Sequence, residues 1–261
     1  MNKLVCLIAL LLMSLGVVSA QEVKGNKIHV VGINEFFPLN LPLSIPCDYS
    51  DLPKASKQYK LYDYFNENGV EGIVVAVSDD GYHGKVMSLK QKSWGVEKNF
   101  PEEIKRVSFG NRCYINGEYN TQSIASVCGQ HGLMGKRTPQ FLKYIIELGE
   151  GWYIPAYGEL LAVVYDVISY ESDDKYQALN RKLKQYGGDA LNRTYNYLTS
   201  TEFKYRNKPE LYFGVVQFNK DQLEFTDGPD REVGSGFVYF KEGTQKRVMT
   251  PSSELRAFHR F

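Results

Sequence analysis

Residues 69 to 89 read Gly-Val-Glu-Gly-Ile-Val-Val-Ala-Val-Ser-Asp-Asp-Gly-Tyr-His-Gly-Lys-Val-Met-Ser-Leu. Gly72 to Val77 is apolar and β-branched, Ser78-Asp79-Asp80-Gly81 carries turn chemistry, and Lys85 to Leu89 resumes the apolar pattern, which predicts a β-hairpin. Downstream, residues 91 to 121 mix Gly, Asn and charged residues with little periodicity and predict surface loops, followed by a short helix over Gln122 to Cys128. Thr138-Pro139 is a plausible helix start. Phe141, Leu142, Tyr144, Ile145, Ile146 and Leu148 then fall on a helical stripe that Gly149 and Gly151 end. A second helix is expected from Gly158 to Ile168, and a third, more polar one from Lys175 to Tyr186, stopping at Gly187-Gly188.

After Asn192 the pattern changes. Tyr195 to Thr201, Leu211 to Phe218, Gln222 to Phe225, Gly236 to Phe240 and Leu255 to Phe261 alternate aromatic and polar residues between turn clusters, which predicts antiparallel sheet. Strands, then helices, then strands make the fold class α+β, because alternating βαβ units are missing. Upstream of the hairpin, Ile28 to Ile33 has strand-like content. Pro38, Pro42, Pro46 and Pro53 then rule out a helix, so residues 21 to 57 are expected to be an extended Pro-rich arm and residues 58 to 261 the main domain.

Residues 1 to 20 place Lys3 before the apolar run Cys6 to Met13, and end in Val18-Ser19-Ala20, the order of charge, apolar run and small residues of a secretion signal. The run is too short for a permanent membrane helix, and Cys6 lies too early for a lipoprotein cleavage site. The expected location is therefore outside the cytoplasm: periplasmic, cell-surface or extracellular. Losing Lys3 with the signal leaves basic and acidic side chains equal in number, since the whole chain has 31 Lys and Arg against 30 Asp and Glu. Without a basic excess the long-range field used in nucleic-acid binding is missing, and no later apolar stretch is long enough to span a membrane.

Cys47, Cys113 and Cys128 remain after cleavage. A Cys113–Cys128 bridge would close a short loop in an oxidising compartment, and two isolated buried thiols explain the same residues equally well. No metal or cofactor is expected: there is no Cys-x-x-Cys pair, and His29, His83, His131 and His259 are scattered singly. Gly-x-Ser-x-Gly is absent, Gly234-Ser235-Gly236 has the character of a turn, and Asp79-Asp80 and Asp173-Asp174 sit in turn contexts.

In order along the chain, the segment 69 to 89, Asn120-Thr121, Gly-Trp-Tyr-Ile-Pro-Ala-Tyr-Gly-Glu-Leu at 151 to 160, Thr199-Ser200-Thr201-Glu202 and Leu255-Arg256-Ala257-Phe258-His259-Arg260-Phe261 resemble a known family. It is the domain named after the C-terminal part of the Legionella collagen-like adhesin, related to the Fibrobacter succinogenes major paralogous domain and common in exported proteins of Bacteroidota. The resemblance spans roughly residues 60 to 261. It implies a C-type-lectin-like fold, with two or three helices on a twisted antiparallel sheet, long loops on one side, and the first and last strands of the domain paired. Trp152, Pro155, Gly158, Glu159 and Arg256 are then motif residues with an architectural role: Trp152 and Tyr153 enter the core, Pro155 ends a strand, and Glu159 sits where a helix dipole favours a carboxylate. Two departures stand out. Ala156 occupies a position usually held by Ser or Thr and suited to capping that helix. Leu198 replaces the tryptophan of a usual Trp-Ser-Ser-Thr run, so an aromatic platform is not carried over.

Calcium-dependent lectins of this fold use Glu-Pro-Asn or Gln-Pro-Asp with Trp-Asn-Asp. Neither occurs here, and Lys208-Pro209-Glu210, the nearest approach, brings a lysine that repels the cation. Formylglycine-generating oxidases share the broader fold, but Cys113 and Cys128 precede the central motif instead of following it, so no active site transfers. The expectation is a non-enzymatic, adhesin-like binding domain for a glycan or surface protein, with a structural or assembly subunit of the envelope or a fimbria as the alternative. Tyr205, Arg206 and Tyr212, joined by Trp94, are the candidate ligand-binding residues, because aromatics with an arginine suit stacking on sugars or gripping a protein. Lys246 and Arg247 are the basic pair that would meet an anionic glycan, although a neutral chain does not make a strong heparin-like binder.

Overall fold

A computed structural model describes residues 27–28, 41–42, 51–94, 115–168, 172–204, 211–218, 237–239 and 253–261. The expected signal segment, most of the Pro-rich arm, Cys47, Cys113, Tyr205, Arg206, Lys246 and Arg247 lie outside these residues. The strands are β1 (Lys27–Ile28), β2 (Leu41–Pro42), β3 (Tyr64–Glu67), β4 (Val70–Val77), β5 (Gly84–Ser88), β6 (Lys92–Trp94), β7 (Trp152–Tyr153), β8 (Asn196–Lys204), β9 (Leu211–Val216), β10 (Phe237–Tyr239), β11 (Ser253–Leu255) and β12 (Phe258–Arg260). The helices are α1 (Gly117–Gln130), α2 (Gln140–Leu148), α3 (Tyr157–Val167) and α4 (Asp174–Gln185), with a 3₁₀ turn at Gly135–Arg137.

The fold is mixed α+β. The hairpin read from residues 69 to 89 is β4–β5, with a register shift between Val74 and Ala76. It lies in a five-stranded antiparallel sheet of order β3-β4-β5-β12-β7. The last strand, β12, pairs with β5, matching Phe258 with Met87 and Arg260 with Lys85. A second five-stranded sheet has the order β10-β9-β8-β11-β6, and β1 pairs with β2 separately.

Four expectations are corrected. The first and last strands of the domain are not paired: β12 lies between β5 and β7, because the return strand β5 occupies the place beside it, while β3 stays at the sheet edge against β4. The segment Leu255 to Phe261 is not one strand: β11 belongs to the second sheet and β12 to the first, and the chain changes sheets at Arg256-Ala257. The C-terminal sheet is not wholly antiparallel, because β11 runs parallel to β8. β8 and β11 are joined by a long stretch of chain and not by a tight hairpin, so the connection does not impose the antiparallel sense. Finally, four α-helices occur among the described residues, and the first begins at Gly117, earlier than the Gln122 of the sequence reading. Asn116 caps that helix, its side chain accepting from the Tyr119 N–H at 2.9 Å.

Strand periodicity sorts the core into two clusters. Ile73, Val75, Met87, Tyr153, Tyr197, Val216 and Phe258 pack with the apolar residues of α3 and α4. Their chain neighbours Val74, Val86, Trp152, Leu198, Val215 and Ala257 pack with those of α1 and α2. Adjacent strand residues point to opposite faces, so the sheets are covered by one helix pair on each face. This is why the hairpin strands read as nearly continuous apolar runs and not as alternating ones. The strap that leads into β3 is tied down by its backbone, with the Ala55 N–H on Tyr82 O at 3.0 Å and the Tyr59 N–H on Gly81 O at 2.7 Å. Arg260 of β12 also grips Asp51 through both terminal nitrogens, at 3.0 and 2.9 Å.

Candidate functional site

The run 151 to 160 crosses the interior. Gly151 has φ +78°, and a Cβ there would lie 2.4 Å from His259 Nε2. Trp152 meets His259 edge-on at 5.4 Å, while Tyr153 on the opposite face meets Phe258 at 6.4 Å. Pro155 is buried just past β7, and its carbonyl accepts the Ser200 N–H at 2.8 Å. Ala156 is the N-cap of α3 and has no hydroxyl to offer. The Tyr157 N–H, at the first helical position, donates to Thr201 Oγ1 at 2.9 Å, so β8 satisfies one of the orphan donors of the first turn, a different one from the second- or third-position N–H that a local Ser or Thr would serve. Gly158 is buried in the same turn.

Glu159, 1% exposed, is the hub. Its Oε2 accepts the backbone N–H of Ala156 at 2.7 Å and of Gly117 at 3.0 Å. Its Oε1 accepts the Tyr153 hydroxyl at 3.1 Å and forms a close ion pair with Lys85 Nζ, itself buried in β5. One carboxylate thereby joins the hairpin, β7, the start of α1 and the start of α3. Two donors on each oxygen fill the lone-pair positions of the group, so it is committed to the fold. The start of α1 approaches so closely that a Cβ on Gly117 would lie 2.4 Å from Ile154 O and 2.5 Å from Ala156 N.

Arg256, fully buried, sits where two neighbouring strands change sheets together. On one side β12 pairs with β5, on the other β11 pairs with β6, and residues 89 to 91 bulge opposite Arg256. The bulge takes carbonyls out of the ladder, and the guanidinium satisfies them. Nη1 donates to Ser88 O at 2.9 Å and Leu89 O at 2.6 Å; Nη2 donates to Gln91 Oε1 at 3.0 Å and to Asp189 O. Ser88 Oγ completes the corner by accepting the Ala257 N–H at 3.1 Å. Burial pulls the Arg256 pKa below the usual guanidinium range, opposed by Tyr197, Tyr144, Asp189 and Glu254. Glu254 accepts from Ser93 Oγ at 2.8 Å through one oxygen, its other oxygen is buried without a partner, and burial raises its pKa.

Of the expected ligand-binding residues, Tyr205 and Arg206 lie outside the described residues. β8 and β9 pair antiparallel with Lys204 opposite Leu211 and with Tyr212 opposite Phe203. Trp94 is elsewhere, on edge strand β6 opposite Ser253, which in turn pairs with Asn196. Asn196 and Phe203 are separated by roughly 20 Å along β8. Trp94 therefore lies away from Tyr212, because β6 pairs with β11, which meets β8 at the Asn196 end and not at the Phe203–Tyr212 pair.

Cys128 is buried against α2, and burial pushes its thiol up to about 11, while its suggested partner Cys113 lies outside the described residues. Among the described residues no cluster of three or more His, Cys, Asp or Glu is placed to hold a metal ion, and no helix is long and apolar enough to cross a membrane. Sequence reasoning missed Lys85 and Gly117. The signal available for Lys85 was a single charge inside an otherwise apolar strand; Gly117 gave none, since its neighbours in space are remote in the chain. No family model, no curated protein and no solved structure matches this chain.

Proposed function

We propose that the chain is an exported, non-enzymatic binding module with a C-type-lectin-like fold, which recognises a glycan or a surface protein through its loops and without calcium. One observation carries this reading: the charged groups of the motif segments are engaged internally, Glu159 by four donors and the two terminal nitrogens of Arg256 by four acceptors, its buried Nε alone lacking one. Residues that recur in the resembling family thus serve the scaffold, and recognition falls to the surface. The lectin-like architecture draws support from the closing of β12 onto the opening hairpin, which leaves neither as an exposed edge at that junction. Export draws support from the charge, apolar run and small residues of the first twenty positions.

Tyr205, Arg206 and Tyr212 are the recognition residues in this reading. The test is retention of the purified protein on a glycan array and on immobilised host-cell extract, with Y205A/R206A as the comparison. Specific retention that the double variant loses supports the reading. Equal retention by both proteins removes these residues from the site. Absence of retention together with co-purification of envelope proteins identifies a structural subunit instead.

A further inference from the structure

The flank of α4 that faces β3 and the end of α3 carries a different arrangement. Tyr64 and Tyr186 are stacked face to face, 3.9 Å between centroids and 4° between planes. Both are half-buried over the α3/α4 core cluster. Beside them Tyr62 donates its hydroxyl to Asp166 Oδ2, and Lys175 Nζ donates to Asp166 Oδ1 at 2.7 Å. Asp166 and Lys175 cancel each other's charge, and each carboxylate oxygen keeps acceptor capacity beyond its one donor. Lys175, Lys182 and Tyr186 follow one helical stripe on α4. Tyr62 has φ +69°, a left-handed conformation that is a genuine outlier for a bulky side chain. It is held there by its N–H on Val74 O at 2.8 Å and by its hydroxyl on Asp166.

We propose that this flank is a binding site for a short run of neutral hexopyranose units, with the apolar C–H face of one ring on the tyrosine stack. Lys175 and Tyr186 lie about 16 Å apart along the helix, so the neighbouring units of the same saccharide reach the Asp166 end. Hydroxyls of those neighbouring units donate to Asp166 and accept from Lys175 or Lys182. Rigid aromatic area beside a carboxylate and an ammonium supplies both things a pyranose presents: a flat apolar face, and a rim that donates and accepts. The charges along this flank balance, Asp166 against Lys175 and Glu71 beside Tyr64 against Lys182, which favours an uncharged sugar over a polyanion. The site deepens the reading of the chain as an exported binding module, and it uses none of Tyr205, Arg206 and Tyr212.

The test is binding of the purified protein to immobilised neutral polysaccharides (dextran, galactan, mannan and xylan), with sulfated dextran as the polyanion control. D166N, K182A and Y186A are the variants, each checked for an unchanged circular dichroism spectrum. Expected is retention on at least one neutral polymer that weakens about tenfold, the equivalent of ~1.4 kcal/mol, in Y186A and in D166N. K182A, at a helix surface position, serves if Y186A fails to fold, and is expected to weaken binding several-fold. Y205A/R206A is expected to leave this binding intact. Retention on none of the neutral polymers overturns the proposal, as does equal binding by wild type, D166N and K182A. Preference for sulfated dextran also overturns it. Loss of binding only in Y205A/R206A moves the sugar to Tyr205 and Arg206 and leaves the general function standing without this site.

Discussion

Replacing Glu159 by Leu tests the hub of the fold. The substitution leaves Lys85, 3% exposed, as a buried ammonium without its carboxylate, and strips the N–H groups of Gly117 and Ala156 of their acceptor. Breaking a buried pair by removing one partner costs about 3–5 kcal/mol, a large share of the ~5–15 kcal/mol that stabilises an ordinary domain. In a domain of this size that loss lowers Tm by roughly 6–20 °C. The pair is separated from the cost of the orphaned backbone groups by a cycle with K85M, E159L and K85M/E159L, read by equilibrium urea unfolding. K85M/E159L has no buried charge to leave uncompensated, so it is expected to be more stable than E159L, and the sum of the single losses should exceed its own loss by about 2 kcal/mol. A loss below ~1 kcal/mol in E159L, or simple additivity in the double variant, would refute the assignment of Glu159 as the centre that ties the hairpin to α1 and α3.

Gly117→Ala places a methyl against Ile154 O and Ala156 N, backbone atoms that cannot swing aside, and is expected to cost about 1–3 kcal/mol by urea unfolding; an unchanged midpoint would mean α1 does not dock there. Thr201→Val removes the oxygen that accepts the Tyr157 N–H and is expected to cost about 1 kcal/mol. Thr201→Ser keeps that oxygen and is expected to retain most of the stability, and equal losses in the two variants would show that the Tyr157 hydrogen bond is not what Thr201 contributes. Glu254, whose pKa is raised mainly by burial, binds its proton more tightly in the folded protein. Its contribution is therefore fully present below the unfolded pKa and is lost as pH rises through the folded one. Glu254→Gln should accordingly raise Tm relative to wild type at neutral pH but not in mild acid, and a Tm difference that does not vary with pH would contradict this. His259 is shifted the other way, its pKa lowered mainly by burial against Trp152. Stability that depends on the neutral ring falls as pH drops below the ordinary histidine value, and His259→Gln should flatten a Tm profile between neutral and mildly acidic pH.

Much of the architecture was legible in the chain because it rests on local rules. Six apolar residues followed by Ser78-Asp79-Asp80-Gly81 leave few choices but a hairpin. The 3.6-residue stripe of residues 141 to 148 and the Gly187-Gly188 stop place α2 and α4 within a residue or two. The start of α1 was harder to see, since Gly117, Asn120 and Thr121 are poor helix formers and only the Asn116 cap announces it. The burial of Trp152 and Tyr153 followed from residue type, and the mixed α+β class from the order of strands and helices.

Other features required the folded chain. Whether Leu255 to Phe261 makes one strand or two depends on the bulge at residues 89 to 91, more than 160 residues away, and on a guanidinium that satisfies the carbonyls it frees. That Lys85 is the partner of Glu159, that Thr201 accepts the first N–H of α3, and that Tyr64 lies flat on Tyr186 are likewise encounters between remote segments. Periodicity and turn chemistry report only the neighbours a residue has along the chain. A buried charge or an uncapped helix end must find its partner wherever packing brings one within hydrogen-bond distance, and no local pattern encodes which segment that is.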